Sequence, residues 1–462
     1  MNNIMFSAFI LYFFVLIGIA LYFYRTVKTA ADFMIGSRSI NYWVTAIATQ
    51  ASDMGSWLFL AFPAAIYSQG LFEVWTALGL IFFMFLNWQF IAPRLRIISE
   101  QTNSDTLSAL FEKQFADTTG LISLVSALFT LIFFTFYIAS GIVGLGRLFE
   151  SAFDISYHAG IIVGLCTAIF YTIIGGFIAA AYCDLFQGLF LLSMIILVPL
   201  TAFFHTSGIS SIISAYNAHI FQFSFIHNMG YGIFLAAGWG LGYFGQPHIL
   251  INFMGIDDPQ KISSAKIVGL AWQTVVLAAA IAIGLIAFSF FPTPVVNPEL
   301  IYIIMTKSLF SPFVAGLALC AILAATLSTM DRHILISGSV VASDLYHKIN
   351  PRAASHQIMF VTRIASVVVS LFALYIAWSG NATIYGLVHY AWSGLGSSFG
   401  PLVIAALYSN KQCTNIGALA GLVVGGTTAA LWPCMGITIS SLIPGFGFGM
   451  IALYAVSYLT RK

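Results

Sequence analysis

Ala51-Ser52-Asp53-Met54-Gly55-Ser56-Trp57 lies inside an otherwise apolar run, Tyr42 to Tyr67, long enough to cross a bilayer. A carboxylate, two hydroxyls and a glycine therefore fall near the depth where lipid tails surround an ordinary helix. An acid at the centre of a membrane helix costs about 2.5–3.5 kcal/mol on insertion scales, so Asp53 requires a partner or a watery cavity. Ser and Asp side chains offer the backbone competing hydrogen bonds, and Gly55 weakens the helical ladder further. Broken backbone at this depth is tolerated only where it lines a cavity or is buried in protein. The stretch reads as half of a small-solute and ion site.

Composition sets the same scene. The 462 residues are 60% hydrophobic, 16% aromatic and 7% charged, against about 25% charged residues in a soluble domain. The expectation is an all-α integral membrane protein embedded in the lipid bilayer, with no room between spans for a soluble domain. A nucleic-acid partner finds no basic surface here, and no obligate protein partner is inferred. The five cysteines, Cys166, Cys183, Cys320, Cys413 and Cys434, form no CxxC pair. They read as small buried residues rather than a disulfide framework or metal site.

About thirteen apolar spans follow in order. They lie near Met5–Tyr24, Tyr42–Tyr67, Phe72–Ile91, Thr119–Phe149, Ser156–Ile174, Phe177–Phe204 and Tyr231–Phe253, then near Ile267–Phe291, Phe310–Val341, Ile358–Trp378, Ile384–Leu407, Ile416–Trp432 and Ile437–Leu459. The first lacks a basic n-region and exceeds a signal core in length, so it reads as a span. With the N-terminus outside, fifteen of the seventeen Lys and Arg residues fall at or near the cytoplasmic face, including Arg25, Lys28, Arg332, Lys411 and Lys462. Only Arg147 and Lys307 fall outside. That asymmetry favours an odd number of spans ending with a cytoplasmic C-terminus.

The seventh span reads Gly238-Trp239-Gly240-Leu241-Gly242-Tyr243-Phe244-Gly245-Gln246-Pro247-His248. Its glycines and proline argue against an unbroken helix. A dinucleotide fingerprint is excluded, since no strand precedes the glycines and no βαβ unit surrounds them. Close helix packing through small residues is the alternative, but packing does not call for the Gln, Pro and His. The second and seventh spans cross in opposite directions, five spans apart. Two inverted five-helix repeats with broken first helices have this signature, and the site is expected where the breaks meet. The boundaries expected are 1–39 for a leading helix and inner loop, 40–205 and 229–408 for the repeats, 206–228 for an outer loop, and 409–462 for two closing helices.

Ser52-Asp53-Met54, Gly36-Ser37-Arg38-Ser39, the Gly238–His248 run and Ala325–Asp331 resemble the sodium/solute symporters, and within them the branch that carries proline. The resemblance implies a leucine-transporter-type core, a sodium-coupled secondary active symporter and no enzymatic activity. The cell it implies is bacterial, with the chain in the inner (plasma) membrane. Its sodium ligands would be the carbonyls of Ala51, Met54 and Ala325 and the hydroxyls of Ser328 and Thr329, with Asp53 supplying a field. A small hard cation wants oxygen ligands, and an unwound helix exposes spare carbonyls. Hydroxyls bonded to their own helix are the plain alternative for Ser328 and Thr329.

For the substrate, the resemblance points to Gly55, Tyr137, Trp239, Tyr243 and Pro247. Aromatic walls suit a compact apolar ring, and half-helix amides suit a carboxylate. The small-molecule substrate expected is L-proline, with another amino acid, a sugar or a vitamin acid as alternatives and a channel as a different class. Arg38, Asp184 and Gln187 are expected to serve gating or ion release. Inner-end solvation or a basic partner is the alternative for Asp184, and the positive-inside rule is that for Arg38. At Asp331-Arg332-His333 a local ion pair near the inner face, Asp331 with Arg332, is expected, with a gate as the alternative. Two departures from the pattern stand out: Gly55-Ser56 where Ser-Gly is usual, and Arg332-His333 where Ser-Gln is usual.

Overall fold

A computed structural model describes residues 2–24, 38–219, 229–409, 412–437 and 439–461. Arg25, Lys28, Gly36, Ser37, Lys411, Lys462 and residues 220–228 of the expected outer loop lie outside them. The described chain is helical: α1 (Asn2–Tyr24), α2 (Tyr42–Ser56), α3 (Phe62–Gln69), α4 (Val74–Leu86), α5 (Ala92–Gln101), α6 (Leu107–Gln114), α7 (Leu121–Phe153), α8 (Tyr157–Phe204) and α9 (Ile209–His219). There follow α10 (Met229–Gly240), α11 (Pro247–Met254), α12 (Ile262–Phe290), α13 (Ile301–Leu309), α14 (Pro312–Val340), α15 (Ser355–Ala377), α16 (Ile384–Tyr408), α17 (Asn415–Leu431) and α18 (Leu442–Thr460). Caps start several of them: Asn41, Thr106, Ser156, Thr383 and Thr414 each accept from an amide in the first turn.

Both expected breaks are present. In the second span α2 stops at Gly55, whose φ of 53° and ψ of −161° leave the helix, and a π-turn over Trp57–Ala61 leads into α3. A β-carbon at Gly55 would also sit 3.3 Å from Oγ1 of Thr329. Only glycine meets both conditions without strain. The seventh span passes from α10 through a 3-10 turn, Leu241–Gly245, to an extended Gln246 before Pro247 opens α11.

The glycines of that run do a different task from the one their number suggests. Gly55 has a positive φ, but Gly238, Gly240, Gly242 and Gly245 do not. They serve close approach instead. A β-carbon at Gly242 would lie 2.0 Å from the Trp392 indole nitrogen. Packing and opening thus act together here, and the turn after Gly240 with Gln246 and Pro247 makes the opening.

α14 is the central helix. Every residue from Ala318 to Val340 is buried, as expected of a helix enclosed on all sides. It packs against α1, α2, α7, α8 and α15. One end of the bundle gathers the start of α1 and the end of α7, where Phe6 and Phe153 meet at 5.8 Å. The other end gathers Arg38, Arg96, Lys348 and the pairing of Ile40 with Gly255 and Asp257.

The expected span Phe177–Phe204 is by itself long and apolar enough to cross a membrane. With Ser156–Ile174 it falls within α8, 48 residues whose helical backbone pattern runs on through a reversal of the chain. A straight helix of that length would run about 72 Å, more than twice a bilayer core. It doubles back along α1: Cys166 and Phe170 share a groove with Leu16 and Leu21, Tyr182 stacks on Phe23, and Phe190 packs on Tyr12. Among the described residues, nine continuous helical stretches are long and apolar enough to span a membrane. Tyr42–Gln101 is one of them and includes Gly70, whose positive φ ends α3. Helix boundaries therefore do not confirm the number thirteen. The cysteines also depart from expectation, since Cys166 and Cys434 are exposed and Cys413 is half-buried.

Candidate functional site

Four of the five expected ion ligands converge where α2 meets α14. Ser328 Oγ donates to the Ala51 carbonyl at 2.9 Å and to the Ala325 carbonyl at 3.0 Å. Thr329 Oγ1 also reaches the Ala325 carbonyl at 3.0 Å and faces Gly55. The Met54 carbonyl lies at the same break, where it accepts from the Trp57 amide. Two hydroxyls and two carbonyls from two helices thus form an oxygen-rich, fully buried cluster. Ser56 turns away from it and packs against Gly144 of α7, so the shifted hydroxyl of the Gly55-Ser56 pair does not face the cluster.

Asp53 joins the two broken helices. Tyr243 donates to Asp53 Oδ2 at 2.8 Å, and Gln273 of α12 donates to the same phenol oxygen at 2.8 Å. His248 Nε2 lies 3.7 Å from Oδ1. Asp53 is 5% exposed, so these contacts supply the partners that membrane depth demands. The opened backbone is satisfied in the same way. Asn87 donates to the Tyr243 carbonyl, and Gln246 donates to the carbonyls of Gly242 and Trp392.

A cavity of about 20 Å³ lies beside this junction, lined by Asp53, Met54, Trp57, Leu80, Tyr137, Trp239, Tyr243, Val388 and Trp392. It has room for about one water molecule, so a larger solute enters only when the surrounding helices move apart. Trp57 and Trp239 meet at 5.2 Å, and Tyr243 and Trp392 at 5.0 Å. An aromatic box with one carboxylate edge, set against a buried oxygen cluster, suits a small solute and a hard cation together.

The sodium:solute symporter family profile matches residues 33–425. This chain belongs to the sodium:solute symporter family. The symporter is 37% identical to the high-affinity proline transporter PutP of Bacillus subtilis, across 95% of this chain and 94% of that protein. It is 38% identical to a sodium/proline symporter of Staphylococcus aureus, across 98% and 92%. Its fold matches a Na+-coupled sialic acid symporter at a TM-score of 0.83 and 18% identity, covering 99% and 98% of the two chains. A nucleobase-cation-symport-1 family transporter, Mhp1, matches at 0.60 and 15%, covering 93% and 94%. The fold is of the leucine-transporter type. The symporter is a multi-pass membrane transporter and not an enzyme.

Other expected site residues of the symporter lie elsewhere. Pro247 is absent from the aromatic cavity and lines a second one with Asp105, Thr106, Ser108, Ile251 and Phe399. Arg38 bonds the carbonyls of Ser99 and Ser104 and pairs with Asp105 at 3.7 Å, tying the entry of α2 to the loop after α5. Gln187 donates to the Tyr12 hydroxyl at 3.0 Å, deep between α8 and α1.

The Asp331–Arg332 pair does not form. Arg332 instead places Nε and Nη2 each 2.8 Å from Asp184 Oδ2, and both side chains are fully buried. Consecutive helix residues point about 100° apart, so Arg332 turns to α8 while Asp331 faces another side. The Phe177 ring lies under the guanidinium, 4.4 Å away. Arg332 and Asp184 are thus an interhelical pair in the interior, not solvated groups at an inner end. His333, beside Arg332, packs 4.6 Å from His248 and 4.2 Å from Tyr137.

Trp57, Leu80, Val388, Trp392 and Gln273 are not site candidates on sequence alone, and His248 stands out there only as part of the seventh-span run. Gln273 carried a usable signal, as a lone amide in the apolar run of α12. Trp57 and Trp392 did not, because aromatic residues abound throughout the chain.

Proposed function

We propose that this chain imports L-proline together with sodium across the bacterial plasma membrane, with its N-terminus outside and its C-terminus in the cytoplasm. Residues 40–205 and 229–408 form the two inverted repeats, flanked by 1–39, the outer segment 206–228 and 409–462. Sodium is held by the carbonyls of Ala51, Met54 and Ala325 and the hydroxyls of Ser328 and Thr329. Asp53 supplies the field and is held in place by Tyr243. Proline sits against Trp239, Tyr243 and Tyr137, with its carboxylate toward the break at Gly55. Arg38, Asp184 and Gln187 act on gating and release.

One observation carries this reading: the Ser328 hydroxyl touches the Ala51 carbonyl across two helices, a residue's width from Asp53. Relatives named as proline transporters, alike over nearly their whole length, support the substrate. Alternating access follows from rocking one repeat against the other about this junction. At about −100 mV the membrane supplies about 2.3 kcal/mol per charge, and a tenfold sodium gradient about 1.4 more. One sodium per substrate then sustains roughly 500-fold accumulation.

The test is uptake by purified protein in proteoliposomes, with labelled proline competed by other amino acids, sugars and vitamin acids. Proline and close ring analogues should compete best, and uptake should require sodium. Competition by an unrelated solute alone would move the substrate assignment.

A further inference from the structure

Gly238 and Trp239 stand in the last turn of α10, just ahead of the 3-10 turn that interrupts the seventh span. Carbonyls in the last turn of a helix find no amide one turn further on, and inside a membrane an unpaired carbonyl is costly. Both are capped by side chains from other elements. Trp392 Nε1 of α16 donates to the Trp239 carbonyl at 2.6 Å, and Ser440 Oγ donates to the Gly238 carbonyl at 3.0 Å. Trp392 lines the aromatic cavity. Ser440 does not. It lies between α17 and α18, in the closing helix pair outside the proposed repeats. A β-carbon at Gly238 would sit 2.8 Å from Ser440 Cβ, so a glycine is what lets this segment come so close.

Ser440 is itself held in place. Nε2 of His389, on α16, lies 3.0 Å from its oxygen. A hydroxyl has one proton to give, and that of Ser440 goes to Gly238. His389 is therefore the donor, with its proton on Nε2. The same imidazole meets the Trp239 indole edge-on, with ring centres 5.1 Å apart. Trp239 is thus fixed at its backbone by Trp392 and Ser440. Its ring is fixed by His389 and by the Tyr385 hydroxyl, which accepts from Nε1 at 3.3 Å.

We propose that Ser440 and His389 are positioning residues for the Trp239 wall of the substrate cavity. Through the Gly238 carbonyl, the closing helix pair sets the affinity for the solute without touching it. Loss of the cap lets Trp239 leave its place part of the time, and apparent affinity falls with the fraction of protein ready to bind. That the solute against Trp239 is proline rests on the function proposed above.

The first readout needs no substrate. Purified protein carrying fluorotryptophan at its nine tryptophans is followed by fluorine NMR. The Trp239 line is assigned by its loss in Trp239→Phe. Ser440→Ala and His389→Leu should each shift or broaden that line. The line of Trp272, whose indole bonds the Gly188 carbonyl elsewhere, should stay in place. Ser440→Thr keeps the hydroxyl and His389→Gln keeps a donor, so both should hold the Trp239 line near that of the parent.

The second readout is uptake into proteoliposomes. Ser440→Ala should raise the KM for proline roughly two- to tenfold, the range for one neutral hydrogen bond. Vmax, and the sodium concentration for half-maximal uptake at saturating proline, should not move. His389→Leu should act alike, and the double variant no more than either, because the two form one unit. Ser440→Thr should recover most of the affinity. Thr427→Ala, which loses a hydroxyl bonded only within α17, should match the parent. A segment that merely glued α18 to α10 would lower Vmax and leave KM alone. That result, or an unmoved Trp239 line in Ser440→Ala, would overturn the proposal. A line moved by Ser440→Ala in a protein whose parent takes up no proline would count against the substrate alone.

Discussion

The phenol of Tyr243 donates a 2.8 Å hydrogen bond to Oδ2 of Asp53, across 190 residues of sequence. The bond joins the 3-10 turn of the seventh span to the last turn of α2, two places where membrane helices of this chain are interrupted. Its two ends belong to the two proposed repeats. On the function proposed above, it sits on the hinge that alternating access must work.

Removing that donor leaves Asp53 poorly partnered at membrane depth. Tyr243→Phe keeps the ring and should weaken the apparent sodium affinity of uptake roughly 10- to 100-fold, the range for a hydrogen bond to a charged group. Asp53→Asn should reduce sodium-driven uptake steeply, and Asp53→Glu should retain more activity than Asn. Sodium activation curves for the three variants check this. Normal activation in Asp53→Asn would reduce Asp53 to a helix breaker.

Ser328 and Thr329 should separate by degree. Ser328→Ala loses a hydroxyl that reaches both Ala51 and Ala325, whereas Thr329→Ala loses one that reaches Ala325 alone. Both should raise the sodium concentration for half-maximal uptake, Ser328→Ala by more. The same sodium dependence in both variants as in the parent would remove the cation from this cluster.

Arg332 and Asp184 make a prediction about stability. Arg332→Gln strands a buried carboxylate and should destabilise the protein by about 3–5 kcal/mol, the range for breaking one side of a buried pair. The double variant Arg332→Met with Asp184→Leu should recover most of that loss. Thermal unfolding in detergent measures both. A single variant as stable as the parent would mean that the pair does not hold α14 to α8.

Trp239 makes the prediction for substrate. Its indole meets Trp57 at 5.2 Å and donates to Tyr385. Trp239→Ala should raise the KM for proline at least tenfold, about 1.4 kcal/mol, and Trp239→Phe only mildly. Uptake kinetics at saturating sodium check it, and an unchanged KM in Trp239→Ala would place the pocket elsewhere.

The breaks were legible in sequence because their cause is local. Gly55 beside Asp53, and the Gly240-to-Pro247 run, violate the helix pattern within a few residues of the backbone they disturb. The aromatic pair Trp239 and Tyr243 was legible for the same reason, being four apart across one helical turn. The partners of buried charges were not. Arg332 finds Asp184 across 148 residues, while adjacency in the chain suggested Asp331, which a helix turns to another side. Pro247 misled in a related way. It marks the break correctly, yet its ring lies beyond the turn, in a different cavity.

The most direct test of the account is equilibrium binding of labelled proline to the purified protein, titrated with sodium. If the oxygen cluster and the aromatic cavity share the junction at Asp53 and Gly55, each ligand must tighten the other by the same factor. Proline affinity should rise at least tenfold from sodium-free buffer to saturating sodium, and Thr329→Ala should shift that rise to higher sodium. Proline affinity independent of sodium in the parent protein would contradict a coupled site at the two broken helices.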